Sequence, residues 1–253
     1  NDMWFFTKKK KAKQRISYDI GAYMVVDIHS HLLPGIDDGA PDTDTSLKLI
    51  NGLAAKGIQK IITSPHVMAD IHKNTPETIQ QASNILSPVL QASSVNIPFS
   101  YGAEYLLDEQ FLDKLNNGQI LPLFDDHILV ETPFLYRPFN LEDHIFQIQA
   151  AGYTPVLAHP ERYLYMFTEQ ELFFKVKDLG CKLQMNVLSL TGYYGKSEKD
   201  CAKFLLENNL YEYFGSDMHH ERHLWNFSEF RVDEETARLL DKNYNQILNR
   251  NLL

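Results

Sequence analysis

Val25-Val26-Asp27-Ile28-His29-Ser30-His31 is a short apolar run of strand-forming residues that ends on two histidines. Residues two apart on an extended segment point to the same side, so both imidazoles can face one ion. An amphipathic helix is expected next, from Asp44 to Lys56, with Leu47, Ile50, Leu53 and Ala54 on one face and Gly57 as its stop signal. A second strand follows at Lys60-Ile61-Ile62-Thr63, then a helix capped by Thr75 with Pro76 in its first turn, broken or kinked near Pro88. Strand, helix, strand in this order is the signature of βα units and a parallel sheet.

Outward from that start the alternation continues. Strands are expected at Phe99–Gly102, Ile128–Val130, Thr154–Ala158, Lys182–Asn186 and Tyr211–Gly215. Helices are expected near Asp108–Asn116, Leu141–Ala151, Glu169–Leu179, Glu198–Asn208 and Asp233–Leu253. That gives about seven strands, and 253 residues suit one domain of this kind, a single α/β barrel. Residues 23–253 are assigned to it. Residues 1–22 are assigned to a flexible basic and aromatic arm, from Trp4, Phe5 and Phe6 through Lys8–Lys11, Lys13 and Arg15. Asn1 and Asp2, ahead of Met3, read as a remnant or a clipped start and are set aside.

Composition narrows the function. No apolar run approaches the roughly 18 residues a membrane helix needs, and a cytoplasmic protein is expected, with the arm a candidate for contact with the inner membrane face. A net charge of −9 argues against nucleic-acid binding, which relies on Lys and Arg to hold phosphates. Cys181 and Cys201, in no metal-binding spacing, read as buried thiols of a reducing compartment. Neither has the Gly- and Arg-containing phosphate loop a cysteine-based phosphatase would need.

The metal-ligating residue types fall at strand ends. His29 and His31 follow the first strand, with Asp37 and Asp38 in the next loop; His66 follows the second, Glu104 the third, Glu131 the fourth, His159 the fifth, and Asp217 with His219 the seventh. The sixth ends near Asn186 without one. Parallel barrels gather such positions at one mouth. Mixed imidazole and carboxylate donors suit Zn, Mn, Fe or similar ions, and donors in excess of the four that one Zn typically takes imply two or three ions. A carboxylate ending an apolar strand needs a cation or strong hydrogen bonds to offset its desolvation.

At Asp27-Ile28-His29-Ser30-His31-Leu32-Leu33-Pro34-Gly35-Ile36-Asp37-Asp38-Gly39 the chain resembles the polymerase-and-histidinol-phosphatase (PHP) superfamily, and more narrowly its bacterial protein-tyrosine phosphatases of capsule and exopolysaccharide systems. Thr63-Ser64-Pro65-His66, Tyr101-Gly102-Ala103-Glu104, Val130-Glu131, Ala158-His159-Pro160-Glu161-Arg162-Tyr163 and Gly215-Ser216-Asp217-Met218-His219 carry the resemblance further. It implies a distorted (β/α)7 TIM-like barrel holding three divalent ions, manganese first and Fe, Co, Zn or Mg as alternatives. The implied ligands are His29, His31, Asp38, His66, Glu104, Glu131, His159, Asp217 and His219, with Glu104 bridging two ions and Asp37 structural. It also implies Arg162 as a phosphate-binding residue, with Arg222 the nearest candidate for a second, and a phosphotyrosine-bearing tail of a bacterial tyrosine kinase as partner.

The expected route is attack of a metal-bound hydroxide on a phosphate monoester, in line with the departing phenolate. Arg162 would grip the phosphate, and His159 or His219, where not fully committed to metal, would protonate the leaving group. Against this stand a histidinol-phosphatase type of small-molecule phosphomonoesterase, a non-catalytic scaffold module and, improbable on charge, a nuclease. An open mouth favours a peptide tyrosine and a closed one a small molecule; residues 67–74 and the aromatic stretch Phe134-Leu135-Tyr136-Arg137-Pro138-Phe139 are expected to shape it.

Overall fold

A computed structural model describes residues 15–253. Within them, strand β1 (Arg15–Ser17) and a short helix α1 (Ile20–Met24) lead into β2 (Val26–Asp27), α2 (Thr43–Ala55), β3 (Lys60–Thr63), β4 (His66–Val67) and α3 (Pro76–Ala92). Next come β5 (Phe99–Tyr101), β6 (Glu104–Leu106), α4 (Phe111–Asn116), β7 (His127–Glu131), α5 (Leu141–Ala150) and β8 (Thr154–Ala158). The chain closes with α6 (Leu164–Thr168), α7 (Glu171–Asp178), β9 (Lys182–Asn186), α8 (Lys196–Glu207), β10 (Tyr213–Gly215), α9 (Glu221–Ser228), β11 (Arg231–Asp233) and α10 (Glu234–Asn243).

Local chemistry sets these boundaries. Asp42 caps α2 by accepting from Thr45 N at 2.8 Å, and Thr75 forms a capping box with Thr78 ahead of Pro76 at the start of α3. The expected break near Pro88 does not divide that helix. Pro88 lies in its last turns, and Ser87 Oγ donates to the Ser83 carbonyl at 2.7 Å. The helix expected over Asp233–Leu253 stops at Asn243 and is followed by a 3₁₀ turn from Leu248 to Leu252. Helix α9 was not expected, although Leu224 and Phe227 stand at helical spacing on it.

The core strands pair in parallel, in one six-stranded sheet of order β10-β9-β8-β7-β6-β4 and one three-stranded sheet of order β2-β3-β5. They do not form a single closed sheet; the pairing gives a mixed α/β fold with parallel sheets. The physical cause lies in two strands that change sheets part-way. Lys60–Thr63 and His66–Val67 are separated by Ser64-Pro65, where proline offers no N–H to the ladder. Phe99–Tyr101 and Glu104–Leu106 are separated by Gly102-Ala103, where a Cβ on Gly102 would lie 2.7 Å from the Pro122 carbonyl. Opposite these breaks, β2 and β10 meet only at their ends. There His31 N donates to Met218 O at 2.9 Å and Asp217 N to His29 O at 2.8 Å.

Buried Asp27 tightens this junction, accepting from Ser216 N at 2.9 Å and from Ser216 Oγ at 2.5 Å. Burial pushes its pKa up to about 6 against the opposing hydrogen bonds from Ser216. Helices cover the sheets with apolar faces such as Leu49, Ile50 and Leu53 of α2 and Leu205 and Leu206 of α8. Arg15–Ser17 pairs antiparallel with β11, and Ile20 and Tyr23 are buried. This part of the expected arm is therefore built into the fold; Trp4, Phe5, Phe6 and the lysines of the arm lie outside the described residues.

Candidate metal centre

The parallel register carries chemistry-bearing side chains to one end of the strands. His29 and His31 leave β2, His66 starts β4, Glu104 starts β6, and Glu131 ends β7. His159 follows β8, while Asp217 and His219 follow β10. His159 and Asp217 adopt positive φ, +31° and +51°. Such conformations cost a non-glycine residue energy and persist where the surroundings impose them.

All nine expected ligands fall into four overlapping groups, in each of which one donor atom per residue lies within 4.8 Å of the others. The groups are His31-Asp38-His66-His219, His29-His31-Glu104, His29-His159-Asp217 and His66-Glu104-Glu131. Glu104 is fully buried at the centre. Its Oε2 lies 3.2 Å from His29 Nε2, 3.4 Å from His31 Nε2 and 3.1 Å from His66 Nδ1, and its Oε1 lies 3.2 Å from His159 Nε2. Neither oxygen makes a hydrogen bond, nor do His66 Nδ1 and Glu131 Oε1. Buried polar atoms without partners are rare because each costs about 1–3 kcal/mol. His66 Nδ1 does lie 3.0 Å from Glu131 Oε1, and atoms of mixed N and O type converging this closely without hydrogen bonds fit divalent cations bound among them.

Electrostatics points the same way. Burial opposes charge on His29, yet the Glu104 and Asp217 carboxylates leave its pKa raised. His31 is raised well above the usual imidazole value against its burial, chiefly by Asp37. Burial and neighbouring His31 disfavour a charged His66, but Glu104 and Glu131 raise it to about 10. Burial would raise Glu104 and Asp217; the surrounding histidines, His29 foremost, hold both well below the carboxylate range. The cluster thus attracts positive charge strongly enough to overcome desolvation, and protons supply it where metal does not.

A second layer fixes the donors. His29 Nδ1 lies 2.7 Å from Gln184 Oε1 and His31 Nδ1 lies 2.9 Å from Asp37 Oδ2, which leaves both Nε2 atoms facing Glu104. Asp37 also accepts from Gly39 N and His66 N; burial opposes its charge, but His31 brings its pKa down to about 2. Asn186 Nδ2 donates to Asp217 Oδ2 at 2.7 Å, so the sixth strand contributes an amide. Gln184 and Asn186 escaped sequence reasoning because a neutral amide inside an apolar strand gives no charge signal. Their inward alternation on β9 was the available clue.

Arg162 Nη1 pairs with Asp217 Oδ2 at 3.0 Å, and the guanidinium is sandwiched between the rings of Phe134 (4.6 Å) and Tyr194 (4.4 Å). It makes no ion pair with Glu161, whose carboxylate is buried on Asn186 N, Ser189 Oγ and Tyr211 OH. Arg222 is exposed on α9, over the Tyr193 ring at 5.5 Å, and does not line the cleft. Instead His220 and His223 line it from that helix, with His72 from the opposite loop. The cleft, of about 590 Å³, reaches solvent at Asp38, whose side chain is 61% exposed. Cys181 and Cys201 are buried elsewhere, and burial pushes the Cys181 thiol up to about 12.

Residues 25–251 match the sequence profile of a family described as capsular polysaccharide synthesis, CpsB/CapC. The chain is 33% identical over 196 residues to the tyrosine-protein phosphatase YwqE of Bacillus subtilis, covering 77% of each protein. It is 27% identical over 201 residues to the tyrosine-protein phosphatase CpsB of Streptococcus agalactiae, covering 77% of this chain and 83% of that protein. It also superposes with a TM-score of 0.78 and 31% identity on a solved structure from work on YwqE and Streptococcus pneumoniae CpsB, described there as unique metal-dependent tyrosine phosphatases. That match covers 89% of this chain and 90% of the other.

Proposed function

Because the chain belongs to the CpsB/CapC capsular polysaccharide synthesis family, we propose that it is a metal-dependent protein-tyrosine phosphatase acting on a phosphotyrosine-bearing protein. The carrying observation is the buried Glu104 carboxylate, without a hydrogen bond, at the meeting point of His29, His31, His66 and His159. Three divalent ions, manganese foremost, would be held by the nine donors, with Glu104 bridging. Ions bound there would supply charge neutralisation for the phosphate and Lewis acidity toward water.

The chain's own residues do the rest. Asp217 and the two aromatic rings hold the Arg162 guanidinium flat, and its Nε and Nη2 make no hydrogen bond among the described residues. Those N–H groups are therefore available to grip two phosphate oxygens, a geometry Lys cannot reproduce. Whichever of His159 and His219 is not committed to metal would deliver the proton to the departing phenolate. The opening at Asp38 supports a tyrosine presented on a polypeptide over a small enclosed substrate such as histidinol phosphate. The meeting of β2 and β10 around Ser30 and Met218 supports reading the two core sheets as a distorted, interrupted seven-stave barrel. A bacterial tyrosine-kinase tail as substrate and a cytoplasmic location complete the proposal.

The test is metal-reconstituted protein assayed on phosphotyrosine peptide and on histidinol phosphate. A preference for the peptide that disappears on chelation is expected; a strong preference for histidinol phosphate overturns the assignment.

A further inference from the structure

Beside the cleft lies a second concavity of about 370 Å³, and Met68 and Ile71 line both. Its apolar wall continues through Leu106, Leu107, Pro133, Tyr136 and Pro138, among others. Around it, Ile71 is 74% exposed, Leu135 80% and Tyr136 65%, a concentration of solvated apolar surface that marks interaction sites. The walls are held in place. Arg137 pairs with Glu142 and Glu169, Leu164 N donates to Phe134 O, and Ala69 N donates to Asp108 Oδ2 at 2.7 Å. Asp70 and Glu109 stand at the rim and pair with no cation among the described residues.

We propose that this groove receives the polypeptide flanking the phosphotyrosine, seating a large apolar side chain against Tyr136, Pro138 and Leu106, with a lysine or arginine beyond it facing Asp70 and Glu109. The inference rests on the phosphotyrosine reading above. A tyrosine with its phosphate on Arg162 occupies the cleft along Phe134, and its main chain must leave past the rim. The groove begins at that rim, because Met68 and Ile71 are common to both concavities. Burial of one apolar side chain there is worth about tenfold in kcat/KM, and the acidic rim adds discrimination by charge.

The test compares three phosphotyrosine peptides on the full, metal-loaded chain, flanked on both sides by Leu-Lys, Ser-Lys or Leu-Glu. The parent should prefer Leu-Lys by about tenfold over Ser-Lys, and over Leu-Glu by a margin that shrinks with added salt. Tyr136→Ser should bring the Leu-Lys and Ser-Lys peptides close to parity, whereas Phe146→Ser, an exposed aromatic on α5, should keep the parent's ratio. Hydrolysis of all three peptides without discrimination, or discrimination that survives Tyr136→Ser, overturns the groove assignment alone. Failure of the metal-loaded parent to hydrolyse any phosphotyrosine peptide overturns both the groove and the underlying reading.

Discussion

Gln184→Met removes one hydrogen-bonding amide from the layer behind the candidate ligands and leaves every candidate ligand side chain in place. Gln184 is fully buried; its Oε1 meets His29 Nδ1 at 2.7 Å and its Nε2 donates to Met185 O at 2.6 Å. Methionine fills similar space, so packing loss is small. The substitution leaves the buried His29 Nδ1–H without an acceptor, a cost of about 1–3 kcal/mol. It also releases the tautomer and ring orientation that point Nε2 at Glu104 and Asp217, for which loss of a supporting partner typically costs about 10- to 100-fold in metal affinity. That ratio is about 1.4–2.7 kcal/mol, the same range as the orphaned donor. The assay is Mn²⁺ titration by calorimetry or chelator competition, with thermal melts of the metal-free protein to separate folding from binding. An affinity within twofold of the parent would refute the claim that Gln184 orients His29 as a ligand.

Other perturbations probe separate parts of the account. Arg162→Lys keeps the charge but loses the fork, and should lower kcat/KM on phosphotyrosine peptide by about 10- to 100-fold, read by steady-state kinetics. Gly215→Ala would place a Cβ 2.5 Å from His29 Cβ and 2.6 Å from Gln184 Nε2; overpacking of about 1–3 kcal/mol should lower the melting temperature and weaken metal binding together. In metal-free protein the Asp37 pKa of about 2 lies below its unfolded value. Its charge therefore stabilises the fold above about pH 4, by about 2 kcal/mol, and that advantage over Asp37→Asn should vanish as pH falls from 4 to 2 in denaturant titrations. The Cys181→Ser, Cys201→Ser double variant should retain the parent kcat/KM per folded molecule, since both thiols are buried away from the cleft.

The strand-end donors were legible because a carboxylate or imidazole closing an apolar run is chemically conspicuous, and the nine expected residues do converge. The helix over α2 was legible from its apolar spacing and from Gly57. Less visible were features that arise only in three dimensions. Ser64-Pro65 and Gly102-Ala103 divide strands between sheets, an outcome decided by which neighbour each half finds. Gln184 and Asn186 look like ordinary strand residues until Asp217 and His29 arrive from other strands. Tyr194 gains its place by stacking on Arg162, and no local pattern announces that. Arg222 was sought as a cation near His219, but the first turns of α9 turn His223 toward the cleft and leave Arg222 over Tyr193.

Crystals of the chain loaded with Mn²⁺, measured at the manganese absorption edge, address the central claim most directly. Anomalous peaks should lie between Glu104 and the imidazoles of His29, His31, His66 and His159, more than one per chain, with Glu104 touching two of them. Peaks confined to the protein surface, with the Glu104 cluster free of metal, would contradict the account.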